Sequence, residues 1–215
     1  ENYIFEFDKT FSDAVKNNSL KSVKRYLEND KSLYTRVLTH NSEGNTVYHE
    51  ALKYNSEHVL IYLFKNADRE AINRLNTNGE TILHMAVKLD NPNIISICLK
   101  LGSDINALNN EDETPLFYAI RAGIYNNVLK LINNRANIQQ VNINGETPFI
   151  IACLTEKRSI NIVRLLVDNG ADVNRTKDDK TILQILLTKR DIKVVDEEIR
   201  TYLQNIKIKE LGIDM

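Results

Sequence analysis

The side chains best suited to chemistry are few and scattered. Histidine occurs at His40, His49, His58 and His84, and cysteine at Cys98 and Cys153. The two cysteines form no CxxC step, so neither a disulfide framework nor a zinc site is expected, and a reducing compartment fits. A thiol nucleophile would need a neighbouring base, and no spacing supplies one. Asp178–Asp179 and Asp196–Glu197–Glu198 are the acidic runs. A carboxylate pair acts as general acid and base only inside a cleft, and these runs fit solvated turns and helix faces. There is no Walker sequence, no GxSxG and no GxGxxG. The expectation is a non-enzymatic chain with no catalytic residues, no cofactor and no metal.

Something must nevertheless position so regular a sequence. Five threonines, Thr46, Thr81, Thr114, Thr147 and Thr181, are spaced 35, 33, 33 and 34 residues apart. They open the segments TVYHEAL, TILHMAV, TPLFYAI, TPFIIAC and TILQILL. A second apolar pattern follows the first four: VLIYLF from Val59, IISICL from Ile94, NVLKLI from Asn127 and NIVRLL from Asn161. Three of these units close on a polar turn, GSDIN from Gly102, RANIQ from Arg135 and GADVN from Gly170. A period of this length marks stacked supersecondary units, each unable to bury its apolar face alone.

The local chemistry agrees with that reading. A threonine before a helix can cap its free N–H groups. Pro115 and Pro148 then fall at the first helical position, where the missing N–H is harmless. Gly44, Gly79 and Gly145 stand two residues before their threonines, where a left-handed backbone is expected, and Asp112 and Asp179 replace glycine in the other copies. Ala51, Ala86, Ala119 and Ala152 recur five residues after the threonine, where a small side chain lets helices approach. Leu186 breaks this rule and suggests a C-terminal capping unit with no successor to pack against.

The pattern resembles the ankyrin repeat, whose signature is a Gly-x-Thr-Pro-Leu-His-x-Ala core. The resemblance covers residues 41 to about 205, with a weaker unit at Phe11–Asp30 where FSDAV and SVKRYL keep the internal spacing. It implies an all-α solenoid of helix–turn–helix units with short hairpin fingers. The expected organisation is an N-terminal helical cap at 1–40 with a longer link into the array, repeats at 41–75, 76–108, 109–141 and 142–175, and a capping repeat and tail at 176–215. A one-residue insertion is expected near Glu156–Ser159, a roughly four-residue insertion before the last helix, and a fraying tail from Ile206. Repeats stack about a helix diameter, roughly 10 Å, apart. That is too far for His49 and His84, equivalent in successive units, to share a zinc ion. Each is expected to bond turn backbone instead.

Family resemblance also implies a function, protein–protein interaction through the concave face built from fingers and first helices. Carried over by position, the contact residues are Leu75, Leu108 and Val141 before the fingers, and Glu111 and Ile143 at the fingertips. Glu80, Glu113 and Glu146 precede three successive threonines, and Tyr54, Leu89 and Arg121 lie on first helices. The three equivalent glutamates, joined by Glu111, are expected to form an acidic ladder beside an apolar row, and so to meet a partner protein with a basic face. Asn106 and Asn174 resemble turn asparagines that a cytosolic asparaginyl hydroxylase modifies in ankyrin proteins.

Bulk properties set the remaining bounds. The 215 residues are 42% hydrophobic and 27% charged, with a formal net charge of −1. With its basic residues scattered, the chain offers no case for nucleic acid. No apolar run approaches the roughly 18 residues of a membrane span. Asparagine, isoleucine and lysine are abundant, which fits either an AT-rich genome or the reuse of asparagine at fixed structural positions. The expectation is a monomeric adaptor in the cytoplasm. The chain starts at Glu1 rather than Met and is read as a fragment or processed product, which favours neither reading strongly; the alternative is the recognition domain of a larger protein, such as a channel, an enzyme or a microbial effector working in a host cytosol.

Overall fold

The computed structural model describes residues 11–29, 44–65, 72–157, 159–188 and 194–210. The chain divides into two compact units, Glu1–Asn110 and Glu111–Met215. The expected link between the N-terminal cap and the array, the insertion before the last helix and the end of the tail lie outside the described residues, as does Arg158 in the expected insertion between the helices of the fourth repeat.

In the first unit, a helical turn at 11–16 precedes α1 (Leu20–Asn29). Two helix pairs follow, α2 (Val47–Lys53) with α3 (Glu57–Phe64), and α4 (Ile82–Ala86) with α5 (Pro92–Lys100). First helices pack on each other, α2 on α4, and each packs on its own second helix, while α1 packs on α3. The second unit repeats the scheme with α6 (Pro115–Ala122) and α7 (Tyr125–Asn133), then α8 (Pro148–Leu154) and α9 (Ile160–Asp168). It closes with a hairpin, β1 (Thr176–Lys177) and β2 (Lys180–Thr181), and the helices α10 (Ile182–Thr188) and α11 (Val194–Glu210). Here α6 packs on α8, α7 on α9, and α11 on both α9 and α10. The described residues are thus mostly helical, with one two-strand finger, as an all-α solenoid requires.

The backbone punctuation falls where the residue types demand it. Gly44, Gly79 and Gly145 have φ of 69°, 72° and 74°, and Asp112 and Asp179 take the same left-handed region at 57° and 61°. Asp178 and Asp179 both have positive φ, which makes the β1–β2 turn one of the primed types that match strand twist. Pro115 and Pro148 open α6 and α8. Second helices α5, α7 and α9 end on a left-handed residue, Gly102, Arg135 or Gly170. The next N–H then reaches back to the last turn: Ser103 to Cys98, Ala136 to Leu131 and Ala171 to Leu166.

The caps need one correction. Thr147 Oγ1 accepts the Ile150 N–H at 3.3 Å as expected. Thr114 makes no such bond, and its buried hydroxyl has no partner. In the first two repeats the residue three positions on is a histidine that receives the threonine hydroxyl at 2.8 and 2.9 Å; here it is Phe117, which cannot. The four recurring alanines are buried. Leu186 is buried as well, on a helix packed against α11 of its own unit.

Candidate protein-interaction surface

The fingers at Asn76–Glu80 and Asn142–Glu146 are each held together by one asparagine. In the first unit Asn76 opens the sequence Asn-Thr-Asn-Gly-Glu. Its Oδ1 accepts the backbone N–H of Asn78 at 3.0 Å and of Glu80 at 2.9 Å. Its Nδ2 donates to Asn45 Oδ1 at 3.1 Å and to Glu80 Oε2 at 2.9 Å. An asparagine carboxamide has two donor and two acceptor positions, and all four are used. In the second unit Asn142 opens Asn-Ile-Asn-Gly-Glu and repeats the arrangement. It accepts from Asn144 N at 3.0 Å and Glu146 N at 2.9 Å, and donates to Glu113 Oε1 at 2.9 Å and Glu146 Oε2 at 3.1 Å. Reasoning from the sequence passed over these asparagines. Their signal was present: Asn41, Asn76, Asn109 and Asn142 recur at intervals of 35, 33 and 33.

The glutamates that follow are not an exposed acidic ladder, and that expectation is overturned. Glu80, Glu113 and Glu146 are all buried, Glu113 to 1% exposure. Each carboxylate meets a cation. Lys88 reaches Glu80 at 3.2 Å. Arg121 grips Glu113 with two parallel N–H bonds, the fork geometry that suits guanidinium to carboxylate. Both cations stand eight residues after their glutamate. The equivalent position after Glu146 is Leu154, and Lys177, from the following finger, takes over the pairing. Viewed from solvent the polarity is reversed, since the Lys88 and Arg121 side chains are 45% and 40% exposed over carboxylates that are not. The physical reason is local: a carboxylate facing a fixed asparagine amide and a nearby cation is stabilised in place, and desolvation is offset by hydrogen bonds.

The titration behaviour follows. Burial pushes Glu146 upward, but the bonds from Lys177 and Asn142, with the charges of Lys177 and Arg121, outweigh it and hold the carboxyl below its usual range. Arg121 is raised above its ordinary value chiefly by its bond to Glu113. Burial opposes this, while the fields of Glu113, Glu146 and Glu111 add to it.

His49, His84 and the two cysteines take structural roles. His49 Nδ1 accepts the Thr46 N–H at 3.1 Å, so that nitrogen carries no proton, and the Nε2–H therefore donates to the Glu80 carbonyl at 3.0 Å. His84 Nδ1 accepts the Thr81 N–H at 3.0 Å in the same way. Cys98 and Cys153 are buried and not disulfide-bonded. Burial pushes the Cys98 thiol up to about 12 and raises Cys153 further still, which suppresses the reactive thiolate. No group of three or more His, Cys, Asp or Glu suited to a metal ion occurs among the described residues, and no helix among them is long and apolar enough to cross a membrane.

Beside exposed polar finger residues such as Asn78, Asn110, Glu111 and Asn144, three large apolar side chains face water. Leu75 and Leu108 in the first unit are 48% and 42% exposed, and Ile143 in the second is 61% exposed. Tyr54 is exposed, with the ammonium groups of Lys16 and Lys53 over its ring at 5.3 and 5.9 Å. Leu89 and Val141 are half-buried, while Glu111 and Arg121 are exposed. Asn106 and Asn174 are exposed, each donating its backbone N–H to an aspartate two residues earlier, Asp104 or Asp172, at 2.9 Å.

A family profile described as ankyrin repeats in three copies matches residues 11–109, 69–142 and 126–197. A search of curated proteins gives no match. The profile covers most of the chain and agrees with the threonine phase, the left-handed finger positions and the paired helices of each unit, so the chain belongs to the ankyrin-repeat family.

Proposed function

We propose that this chain, whose family generally serves protein–protein interaction, binds a partner protein through its fingers and first helices, with Leu75 and Leu108 as apolar anchors on the first unit and Ile143 on the second. The observation that supports this is selective exposure. The carboxamides of Asn76 and Asn142 are spent on bonds within and between the fingers, while large apolar side chains nearby face water. Exposed aliphatic groups rimmed by polar residues suit an interface core. The cations that shield Glu80 and Glu113 make the rim mixed in sign, so a basic partner face is not required. The remaining contact residues on this reading are Tyr54, Leu89, Arg121, Val141 and Glu111, with Glu80, Glu113 and Glu146 holding the cations in place.

The test is site-specific photocrosslinking. A photoreactive residue at position 75, 108 or 143 should give the same partner adduct, and one at Asn133 at the end of a second helix should give none. Equal adduct formation from position 133 would place the contact on another face.

A second reading concerns modification, and the matching turns at Asn106 and Asn174 support it. Incubation with a cytosolic asparaginyl hydroxylase should add one oxygen to the peptide carrying Asn174. Absence of that product would remove the idea.

A further inference from the structure

The chain contains three Asn–Gly steps, Asn78–Gly79, Asn144–Gly145 and Asn169–Gly170. Such steps share a latent reaction, because glycine carries no Cβ to shield its amide nitrogen from the preceding carboxamide. In all three the glycine N–H is engaged, to Asn76 O at 3.0 Å, Asn142 O at 3.0 Å and Val167 O at 2.9 Å. Reaction therefore needs the turn to open, and its rate follows how firmly each turn is held shut.

Two of the turns are tied from outside. Around Asn78, the backbone N–H of Asn110 donates to the Asn78 carbonyl at 3.1 Å, and the Asn110 carboxamide donates to the Thr77 carbonyl at 2.8 Å. Gly79 is buried, with Asn110 Oδ1 and N only 2.5 and 2.6 Å from where a Cβ would stand. At Asn169 the carboxamide itself is occupied, donating to Leu165 O at 2.8 Å, and the Gly170 carbonyl accepts from Gln139 at 2.7 Å. The Asn144–Gly145 turn is tied only on its leading side, where the Ile143 N–H donates to the Glu111 carbonyl at 3.0 Å, and it lacks the cover that Asn110 gives the Asn78 turn. Among the described residues no group donates to the Ile143 or Asn144 carbonyl, the Asn144 carboxamide makes no hydrogen bond, and nothing lies within 4 Å of a Cβ placed on Gly145. The following finger contributes a side chain, Lys177 to Glu146, in place of backbone cover.

We propose that Asn144–Gly145 is a site of spontaneous covalent modification, which converts Asn144 through a succinimide before the other two steps react. The Gly145 amide nitrogen attacks Asn144 Cγ. The N–Cγ bond forms, the Cγ–Nδ2 bond breaks, and the carboxamide nitrogen leaves as ammonia with the amide proton. Water then opens either carbonyl of the ring, giving an aspartyl or an isoaspartyl residue at position 144. No electrons change hands and water is the only co-reactant. The product adds a negative charge beside Ile143 at the fingertip, and the isoaspartyl form lengthens the backbone of the turn.

The experiment incubates the full chain, folded, at mildly alkaline pH, and follows amide-to-acid conversion by peptide mass spectrometry with fragmentation that separates the isoaspartyl form. Trypsin places the three asparagines in separate peptides, ending at Lys88, Lys157 and Arg175. Conversion at Asn144 should exceed that at Asn78 and Asn169 by roughly tenfold, the effect of about 1.4 kcal/mol in turn opening. In urea the three rates should converge, and Asn144→Gln should abolish the first product alone. Equal or faster conversion at Asn78 or Asn169 in the folded chain would overturn the proposal. So would conversion at Asn144 only in urea, or a ranking that survives unfolding unchanged.

Discussion

The fingers at Asn76–Glu80 and Asn142–Glu146 differ at one residue in five, Thr77 against Ile143, and share every internal hydrogen bond. They differ in what surrounds them. The first carboxylate is neutralised by Lys88 from the turn after its own first helix and the finger is roofed by Asn110. The second has Leu154 where that lysine would stand, borrows Lys177 from the next finger and has no backbone roof among the described residues. The asparagine network is a property of the local sequence and recurs wherever the sequence does. The cation is a property of context and can be supplied from either side.

The largest effect should come from removing the asparagine whose bonds are more buried. Asn142→Ala strips donors from both Glu113 and Glu146 and acceptors from two backbone N–H groups, three of the four bonds being buried, and should cost about 3 kcal/mol in denaturant melts. Asn76→Ala, in a less buried network, should cost about half as much. Equal losses would mean that the surroundings do not matter. Arg121→Met leaves Glu113 buried without its cation and should cost about 2 kcal/mol, less than a fully buried pair because the guanidinium is 40% exposed.

Lys177→Met separates the two fingers by pH. Glu146 titrates lower in the folded chain than in the unfolded one, so its contribution is complete above the ordinary carboxylate range and is lost as pH falls through the lowered folded value. The variant should be less stable near neutrality and show a flatter acid limb. Lys88→Met should change stability by at most about 0.5 kcal/mol, as an exposed lysine on a carboxylate does. Identical acid limbs for the parent and Lys177→Met would dismiss the borrowed cation. The smallest effect tests the helix ends: Arg135 holds a φ of 67° where Gly102 and Gly170 serve the other units. Arg135→Gly should stabilise by about 0.5–1 kcal/mol, read as a rise in thermal midpoint.

Much of the architecture was legible because it is written in single residues at fixed phase. Thr147, Pro148, Gly145 and Asp112 each announce a backbone state that only a few residue types favour. Candidate contacts at Leu75, Leu108 and Ile143 were legible for the same reason, position within a repeat. The fate of the glutamates was not. Charge is ordinarily read as exposure, and only the recurrence of asparagine four positions earlier pointed to buried carboxylates. Lys177 was harder still, since its partner lies 31 residues away and the pairing depends on Leu154 having vacated the usual place.

The two protected thiols have a practical consequence. Cys98 lies in the first unit and Cys153 in the second, and each is sealed in a core and held protonated. Neither will react with an alkylating reagent until its own surroundings open. Timed alkylation of the unmodified chain therefore reads the opening of each half through a built-in reporter, without introduced labels. The ratio of the two labelling rates measures whether the array unzips from one end or melts as a whole.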